Sequence, residues 1–415
     1  MTKKAAFLVR WRPKNYYSFA SLVPILKSFN FPLFLMQKAP LETFTQVVDK
    51  FERIYYFDSF MSIDVPKIQE EMRQYYAISG SSKVIFCAGG SHPTAAPEHT
   101  LSLGFNIAAR GEGEIIIQKI VEVIQNEGSW SEIPGITFKD EFLFIQHNKT
   151  PPRIDLNDYM PYSVDPPITP PIEIMRGCSF GCKFCQTPRV LRKVRYRSIE
   201  SIDQIVSYYV DRFKTRNRID IRFIAPNSLE YGSNDHRTPN IDVLWDLVKT
   251  VKKYPVRMYL GSFPSEIRPE FINKETVEIL LESHSKSVAV GAQSGTDSML
   301  DKMKRGHSIS DIEKAVELLL NADLIPNLDF ILGNPTETDE EQIQTLDFCK
   351  SLVKKGCKVR LHYFMPLPGT PWGDAPPTPL SSFVKKEIFL LLKHKLVEGS
   401  FSQQMNIAEP LLSYR

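Results

Sequence analysis

The first part of the chain sets short apolar runs between stretches whose apolar residues recur at three and four. "KAAFLVRW", "RIYYFDSF" and "KVIFCAGG" have strand length, whereas "YSFASLVPILKSF", "PKIQEEMRQYYAIS" and "FNIAARGEGEIIIQKIVEVIQNE" carry helical spacing. Strand and helix in alternation predict a parallel, doubly wound sheet. The proline-dense segment "PPRIDLNDYMPYSVDPPITPP", residues 151–171, reads as a linker, because proline cannot continue either pattern. Beyond it the alternation resumes. "PIEIMRG", "DIRFIAPN", "VRMYLGSF", "SVAVGAQSG", "PNLDFILGNP" and "KVRLHYFMPLPG" are the strands, and "SIESIDQIVSYYVDRFK", "NIDVLWDLVKTVKKY", "KETVEILLES", "ISDIEKAVELLLNAD" and "DEEQIQTLDFCKSLVKKG" are the helices between them. Six strand-then-helix repeats predict a partial barrel whose active site lies where the strands end. Residues 376–415 read as a helical extension.

Composition sharpens this picture. A chain of 415 residues at 42% hydrophobic exceeds what one core fills, so two or three domains are expected. Acids and bases nearly cancel to a net charge of +3, which gives no polybasic field for nucleic acid or anionic membrane. The apolar run in "MTKKAAFLVRW" is too short for a signal-peptide core and no stretch reaches the length of a membrane span, so a cytoplasmic protein is expected. In that compartment clustered thiols are metal ligands or catalysts rather than disulfides.

Three of the six cysteines fall in "GCSFGCKFC", directly after the first strand of the second region. Cys178, Cys182 and Cys185, spaced C-x3-C-x2-C, can bind three irons of a 4Fe-4S cluster and leave the fourth iron open. Zinc is the alternative, but it asks for a fourth Cys or His at a characteristic spacing and none lies nearby. Ser179, Gly181 and Lys183 give the loop room to curl, and Phe184 is placed to shield a cluster or stack on a ligand. Cys87, Cys349 and Cys357 read as buried free thiols.

This loop resembles the signature of the radical S-adenosylmethionine (SAM) superfamily, and the resemblance extends over residues 172–375. It implies that the methionine amino and carboxylate groups of SAM chelate the open iron. An electron passed from a donor such as ferredoxin or flavodoxin then cleaves a carbon–sulfur bond, leaving methionine and a 5'-deoxyadenosyl radical. "IRFIAPNSLEYG" is similar to the second-strand segment facing SAM, through Asn227, Ser228 and Tyr231, although it lacks the Gly-Gly-Glu form of many members. "VAVGAQSGTDSMLDKMKRGH" resembles the stretch in which Gln293 and Ser294 would approach the ribose and Arg305 the carboxylate. In "LDFILGNPTETDEE" the resemblance gives Gly333 to adenine and starts the next helix with Thr336, Glu337 and Thr338. "FMPLPGTP" would bring Met365 to Leu367 against adenine. His362, on the sixth strand, is placed to face the cavity, while His236 and His307 read as core or surface residues.

The N-terminal region resembles the cobalamin-binding, Rossmann-like domain that precedes many radical SAM barrels. Gly89, Gly90 and Ser91 end one strand, and His92, Pro93 and Thr94 open the next helix. Gly111, Glu112 and Gly113 do the same in "ARGEGE". Small residues there let a flat macrocycle approach the backbone. The Asp-x-His-x-x-Gly loop that gives many such domains a cobalt ligand is missing from "VRWRPKNYYSF", which leaves Arg12 or Tyr16 near cobalt by position.

The expected organisation is α/β: a Rossmann-like cobalamin domain over 1–150, the linker, a partial (β/α)6 radical SAM barrel over 172–375, and a helical extension. The expected cofactors are a 4Fe-4S cluster, SAM and cobalamin, and the expected activity is methylation of an unactivated carbon. "APNSLEYG" and "GAQSGTDSMLDKMKRGH" also resemble the methylthiotransferase branch, whose N-terminal domain carries three cysteines for a second cluster that are absent here. A cobalamin-free enzyme and a noncatalytic cofactor-binding module stay open. A tRNA base, peptide side chain, lipid or small metabolite remain as substrates, with nucleic acid disfavoured by charge. No residue beyond the cluster is assigned a catalytic role, and no oligomeric state is implied.

Overall fold

The computed structural model describes residues 5–161, 169–191 and 193–414. Its contacts divide the chain into two units, Met1–Pro170 with Ser413–Arg415, and Pro171–Leu412. Residues 162–168 of the expected linker lie outside the described residues.

The first unit is a seven-stranded sheet in the order β2-β1-β3-β4-β5-β6-β7. Its strands are β1 (Ala5–Arg10), β2 (Leu33–Met36), β3 (Arg53–Ser59), β4 (Val84–Gly89), β5 (Ile107–Ala109), β6 (Ile136–Lys139) and β7 (Ile145–His147). The helices are α1 (Tyr16–Lys27), α2 (Pro40–Lys50), α3 (Val65–Tyr76), α4 (Ser91–Ala95), α5 (Pro97–Ser102) and α6 (Gly113–Asn126). The first five strands are parallel. Strand side chains alternate between faces. Phe7 and Val9 accordingly join Phe19, Val23, Ile116 and Ile120 of α1 and α6 in one core. Ala6 and Leu8 join Phe44, Val47, Ile68 and Met72 of α2 and α3 in the other. Two features depart from the expected pattern. β2 and α2 have no counterpart among the expected elements, because "LFLM" is only four residues long and follows α1 closely. The sheet also stops being parallel at β5, where β6 and β7 continue it as an antiparallel hairpin.

The second unit contributes β8 (Ile172–Glu173), β9 (Met175–Arg176), β10 (Arg195–Tyr196), β11 (Asp220–Ile224), β12 (Arg257–Tyr259), β13 (Ser287–Gln293), β14 (Ile325–Leu332) and β15 (Lys358–Tyr363). Its helices are α7 (Thr187–Val190), α8 (Ile199–Arg212), α9 (Ile241–Lys252), α10 (Lys274–Leu281), α11 (Asp297–Met303), α12 (Ile309–Asn321), α13 (Asp339–Lys354), α14 (Ser382–Lys393) and α15 (Phe401–Leu411). β8, β11 and β12 run parallel side by side, as do β13, β14 and β15. An isolated parallel bridge between Ile267 and Val290 joins the two triplets. Six parallel strands therefore follow one another in chain order, each returned by helix, which is the expected partial barrel. α8, α12 and α13 each start on a Ser or Thr whose oxygen accepts an N–H of the first turn. α15 closes against β15, where Gln404 accepts the Tyr363 N–H and Phe401 meets the Tyr363 ring edge-on. No described helix is long and apolar enough to cross a membrane.

Candidate active site

The cysteine loop is held at its base by the β9–β10 pair, which places Arg195 opposite Arg176. Gly177, the first residue beyond β9, has φ +89, and a Cβ there would lie 2.4 Å from the Lys193 carbonyl oxygen. Only glycine lets the two ends of the loop pass so closely. The room expected at Gly181 is not what shapes the loop, since a Cβ at that position meets nothing within 4 Å. The Lys183 N–H donates to the Met303 carbonyl at 3.0 Å, and the Lys183 carbonyl accepts the Trp372 N–H at 3.2 Å. Phe184 packs on the cluster of Met299, Met303, Phe364 and Trp372.

Cys178, Cys182, Cys185, Phe184, Gln293 and Arg305 line one cavity of about 280 Å³. Arg305 is buried, and its Nη1 donates to the Cys182 sulfur at 3.3 Å while Nη2 donates to the Gly291 carbonyl at 2.6 Å. Arg268 Nη1 lies 3.9 Å from the same sulfur, its Nε donates to Glu270 at 2.6 Å, and its guanidinium stacks 3.5 Å from the Phe180 ring centre. Burial works against ionisation of Cys182, but the two guanidiniums outweigh it and hold this thiol below the usual range. Burial pushes Cys178 up to about 12 and raises Cys185 as well. All six cysteines are free thiols. Among the described residues no three His, Cys, Asp or Glu side chains converge on a single-ion site. Three thiols spread around one cavity, with cations beside one of them, suit a multi-iron, negatively charged cluster.

The remaining expected SAM contacts divide. Gln293 reaches the cavity from a left-handed backbone, φ +76, a conformation that a non-glycine residue adopts at a cost. Asn227, Ser294, Gly333, Met365 and Leu367 do not line it. Asn227 is buried with Oδ1 accepting the Arg268 N–H at 3.4 Å. Ser294 Oγ accepts the Thr296 N–H at the start of α11. At Gly333 a Cβ would come 2.5 Å from the Tyr363 ring, and its N–H and that of Asn334 donate to Glu337 Oε2. His362 bridges Asp329, at 2.8 Å, and Gln404, at 3.2 Å, instead of lining the cavity.

Among the lining residues that the sequence did not single out, two are charged. Glu266 and Arg268 follow β12 in "GSFPSEIRP", at the end of a barrel strand where functional residues gather. That position was the available signal. Burial first, then the charge of Asp329, raises the Glu266 carboxyl. Behind the loop, Ser179 donates to Glu230 at 3.2 Å, and burial pushes that carboxyl up to about 7.

In the first unit the strand order reverses between β1 and β3, the crevice where doubly wound sheets take ligands. Here an ion network occupies it. Arg12 binds both Asp58 oxygens, at 2.5 and 2.7 Å, and Glu71 at 2.6 Å, and Arg10 binds Glu71 at 2.9 Å. Of the other expected cobalamin residues, Gly90 has φ +99 and a Cβ there would sit 2.8 Å from the Phe60 carbonyl oxygen. Ser91, His92, Pro93 and Thr94 lie in α4. His92 is fully buried with Nδ1 at Ser62 and Nε2 at His99, and burial followed by the charge of His99 takes it down to about 3. Both ring nitrogens are thus engaged. Thr94 Oγ1 accepts the Gly111 N–H at 3.1 Å and joins the two glycine turns, and Glu112 accepts the Ile154 N–H at 2.9 Å. A Cβ at Gly89 or Gly113 would meet only side chains, Ala109 in the first case and Leu22 in the second.

Residues 172–349 match the family model described as Radical SAM superfamily. In sequence the chain is 28% identical over 280 residues to the tRNA-2-methylthio-N(6)-dimethylallyladenosine synthase of Colwellia psychrerythraea, covering 65% of this chain and 55% of that protein. It spans about half the length of the curated relatives it matches. In structure it is similar to TsrM from Kitasatospora setae, a radical SAM methyltransferase solved with cobalamin and a [4Fe-4S] cluster. That match has a TM-score of 0.69 at 14% identity and covers 91% of this chain and 80% of that one. OxsB, a cobalamin-dependent SAM radical enzyme solved with aqua-cobalamin and SAM, gives a TM-score of 0.66 at 16% identity, covering 95% of this chain and 56% of that one. With three thiols on the barrel's first loop and the family match over the same stretch, residues 172–349 are a radical SAM domain, in a chain whose fold is shared with TsrM and OxsB.

Proposed function

We propose that this radical SAM enzyme is cobalamin-dependent and methylates an unactivated carbon, with residues 1–150 as its cobalamin domain, 172–375 as its barrel and 376–415 as a helical extension. The observation that carries the reading is the cavity that holds Cys178, Cys182 and Cys185 together with Arg305 and Glu266. When bound, the cluster supplies the electron that cleaves SAM, and cobalamin carries the methyl group. The protein's own residues hold and enclose the reactants. Cys178, Cys182 and Cys185 ligate three irons, Arg305 faces the methionine carboxylate, Glu266 offers a carboxylate to the methionine ammonium, and Gln293 offers an amide to the ribose. Phe180 and Phe184 exclude water from the cavity walls. Gly89–Thr94 and Gly111–Gly113 are the turns offered to cobalamin.

The similarity to tRNA methylthiolating enzymes favours a second reading, methylthiolation without cobalamin. Anaerobic reconstitution with iron, sulfide and hydroxocobalamin separates the two. The leading reading expects iron, stoichiometric cobalt and, with reductant and SAM, 5'-deoxyadenosine. Iron and 5'-deoxyadenosine without cobalt would transfer the proposal to the second reading, and cluster without 5'-deoxyadenosine would leave only a cofactor-binding module. Cys178→Ala, Cys182→Ala and Cys185→Ala should each abolish the cluster's visible band and SAM cleavage together.

A further inference from the structure

The β6–β7 turn is tightly made and oddly dressed. Asp140 Oδ1 accepts the N–H groups of Phe142, at 3.0 Å, and Phe144, at 2.9 Å, and the Gln146 amide donates to Oδ2 at 2.7 Å. This one carboxylate fixes a turn that holds three consecutive apolar side chains in solvent: Phe142, Leu143 and Phe144 are 72%, 75% and 68% exposed. Leu143 sits at φ +67, where glycine or asparagine ordinarily serves. A strained turn that displays a leucine between two phenylalanines contributes nothing to its own domain's core, and a contiguous patch of this kind marks a contact surface.

β7 is also the last strand of its sheet. Asp140 donates to the Phe144 carbonyl and Asn148 to the Ile136 carbonyl, which sets the phase of the hairpin. Ile145 and His147 therefore turn their N–H and C=O groups away from β6, and no described residue pairs with them. The strand "IQH" has none of the proline, lysine or bulge that guards a free edge.

We propose that β7 pairs antiparallel with β7 of a second copy of this chain, about a two-fold axis through Gln146. The geometry is self-complementary, as a two-fold contact requires. Ile145 and His147 of the two copies exchange backbone hydrogen bonds, and each apolar tip lies along the Asn148–Lys149 segment of the other copy. The acidic end of the turn, at Glu141, comes toward Lys149, whose aliphatic stem covers apolar surface while its charge stays in water. The three tip side chains expose on the order of 400 Å² per copy. Doubled and joined by the paired edges, this approaches the roughly 1,200 Å² at the lower end of stable interfaces. The dimer is concentration-dependent.

The test uses the full chain, reconstituted anaerobically. Sedimentation velocity over a concentration series should show monomer passing to dimer. Phe142→Ser with Phe144→Ser should weaken association tenfold or more without lowering the melting temperature, because neither ring is in a core. Gln146→Cys should give a covalent dimer under mild oxidation, since the two Gln146 positions form a non-hydrogen-bonded pair about 4.5 Å apart, within disulfide reach. Ser129→Cys, away from the edge, should not. A monomer at every concentration, or a dimer that survives the double variant and fails to cross-link at 146, overturns the proposal. Flotation of monomer with phosphatidylcholine/phosphatidylglycerol vesicles, lost in the double variant, would overturn it in favour of a lipid surface.

Discussion

Arg305 points its guanidinium at the sulfur of Cys182, 3.3 Å away, and Arg268, whose guanidinium stacks on the Phe180 ring, lies 3.9 Å from the same atom. The two cations differ in what else they hold. Both line the cavity, but Arg305 makes a further hydrogen bond to Gly291, whereas Arg268 is tied to Glu270. Arg305→Gln is expected to weaken SAM binding by about tenfold or more, the worth of a hydrogen bond to a charged group, read as loss of the SAM-induced change in the reduced cluster's electron paramagnetic resonance spectrum. Arg268→Gln should retain that change and shift the cluster's reduction potential downward, because a cation near the sulfur is removed.

Gly177 and Gly181 provide a matched pair. Gly177→Ala meets both a left-handed backbone and the Lys193 carbonyl, and should cost roughly 2 kcal/mol or more, seen as a lower urea midpoint and fewer irons per chain. Gly181→Ala meets open space and should leave both measurements unchanged.

Arg12→Met would leave Asp58 buried without its bidentate partner. Removing one member of a buried pair typically costs about 3–5 kcal/mol, so a large fall in chemical stability is expected. Arg12→Met combined with Asp58→Leu should recover much of it. If the double variant is no better than the single, the ion network does not act as a closed unit.

Glu337 gives a pH dependence of definite sign. Burial pushes its carboxyl up to about 7 against the N–H groups of Asn334 and Gly333, and the Glu341 carboxylate adds to the rise. The folded chain therefore keeps a proton that the unfolded chain releases from about 4.5 upward. The associated stability is complete below that pH and is lost as pH rises through 7, on the order of 3 kcal/mol. Melting temperatures of wild type and Glu337→Gln, compared across this window, should differ in slope, with the variant flatter.

The alternating runs announced both units because buried parallel strands must be apolar on two faces, and the cysteine spacing announced the cluster loop because three ligands on one turn are a local property. Arg305 and Gln293 were named through the resemblance of "VAVGAQSGTDSMLDKMKRGH" to a superfamily stretch, and both line the cavity. Glu266 and Arg268 were not read, since their role depends on β12 delivering them beside a loop some ninety residues earlier. Nor could "VRWRP" reveal that Arg12 is bound by Asp58 and Glu71. Glycines mislead in a related way: Gly181 looks permissive and is unconstrained, whereas Gly177 bears the steric demand.

The chain's last described residue belongs with its first domain. Tyr414 stacks on His99, 4.8 Å between ring centres, and His99 in turn meets His92 within the Gly89–Thr94 turn region. An affinity tag fused behind residue 415 would press on this turn. Under the cobalamin-dependent reading proposed above, a shortfall of cobalt in protein tagged behind residue 415 would then report the tag, and a handle ahead of the first strand is the safer basis for any assay of cofactor content.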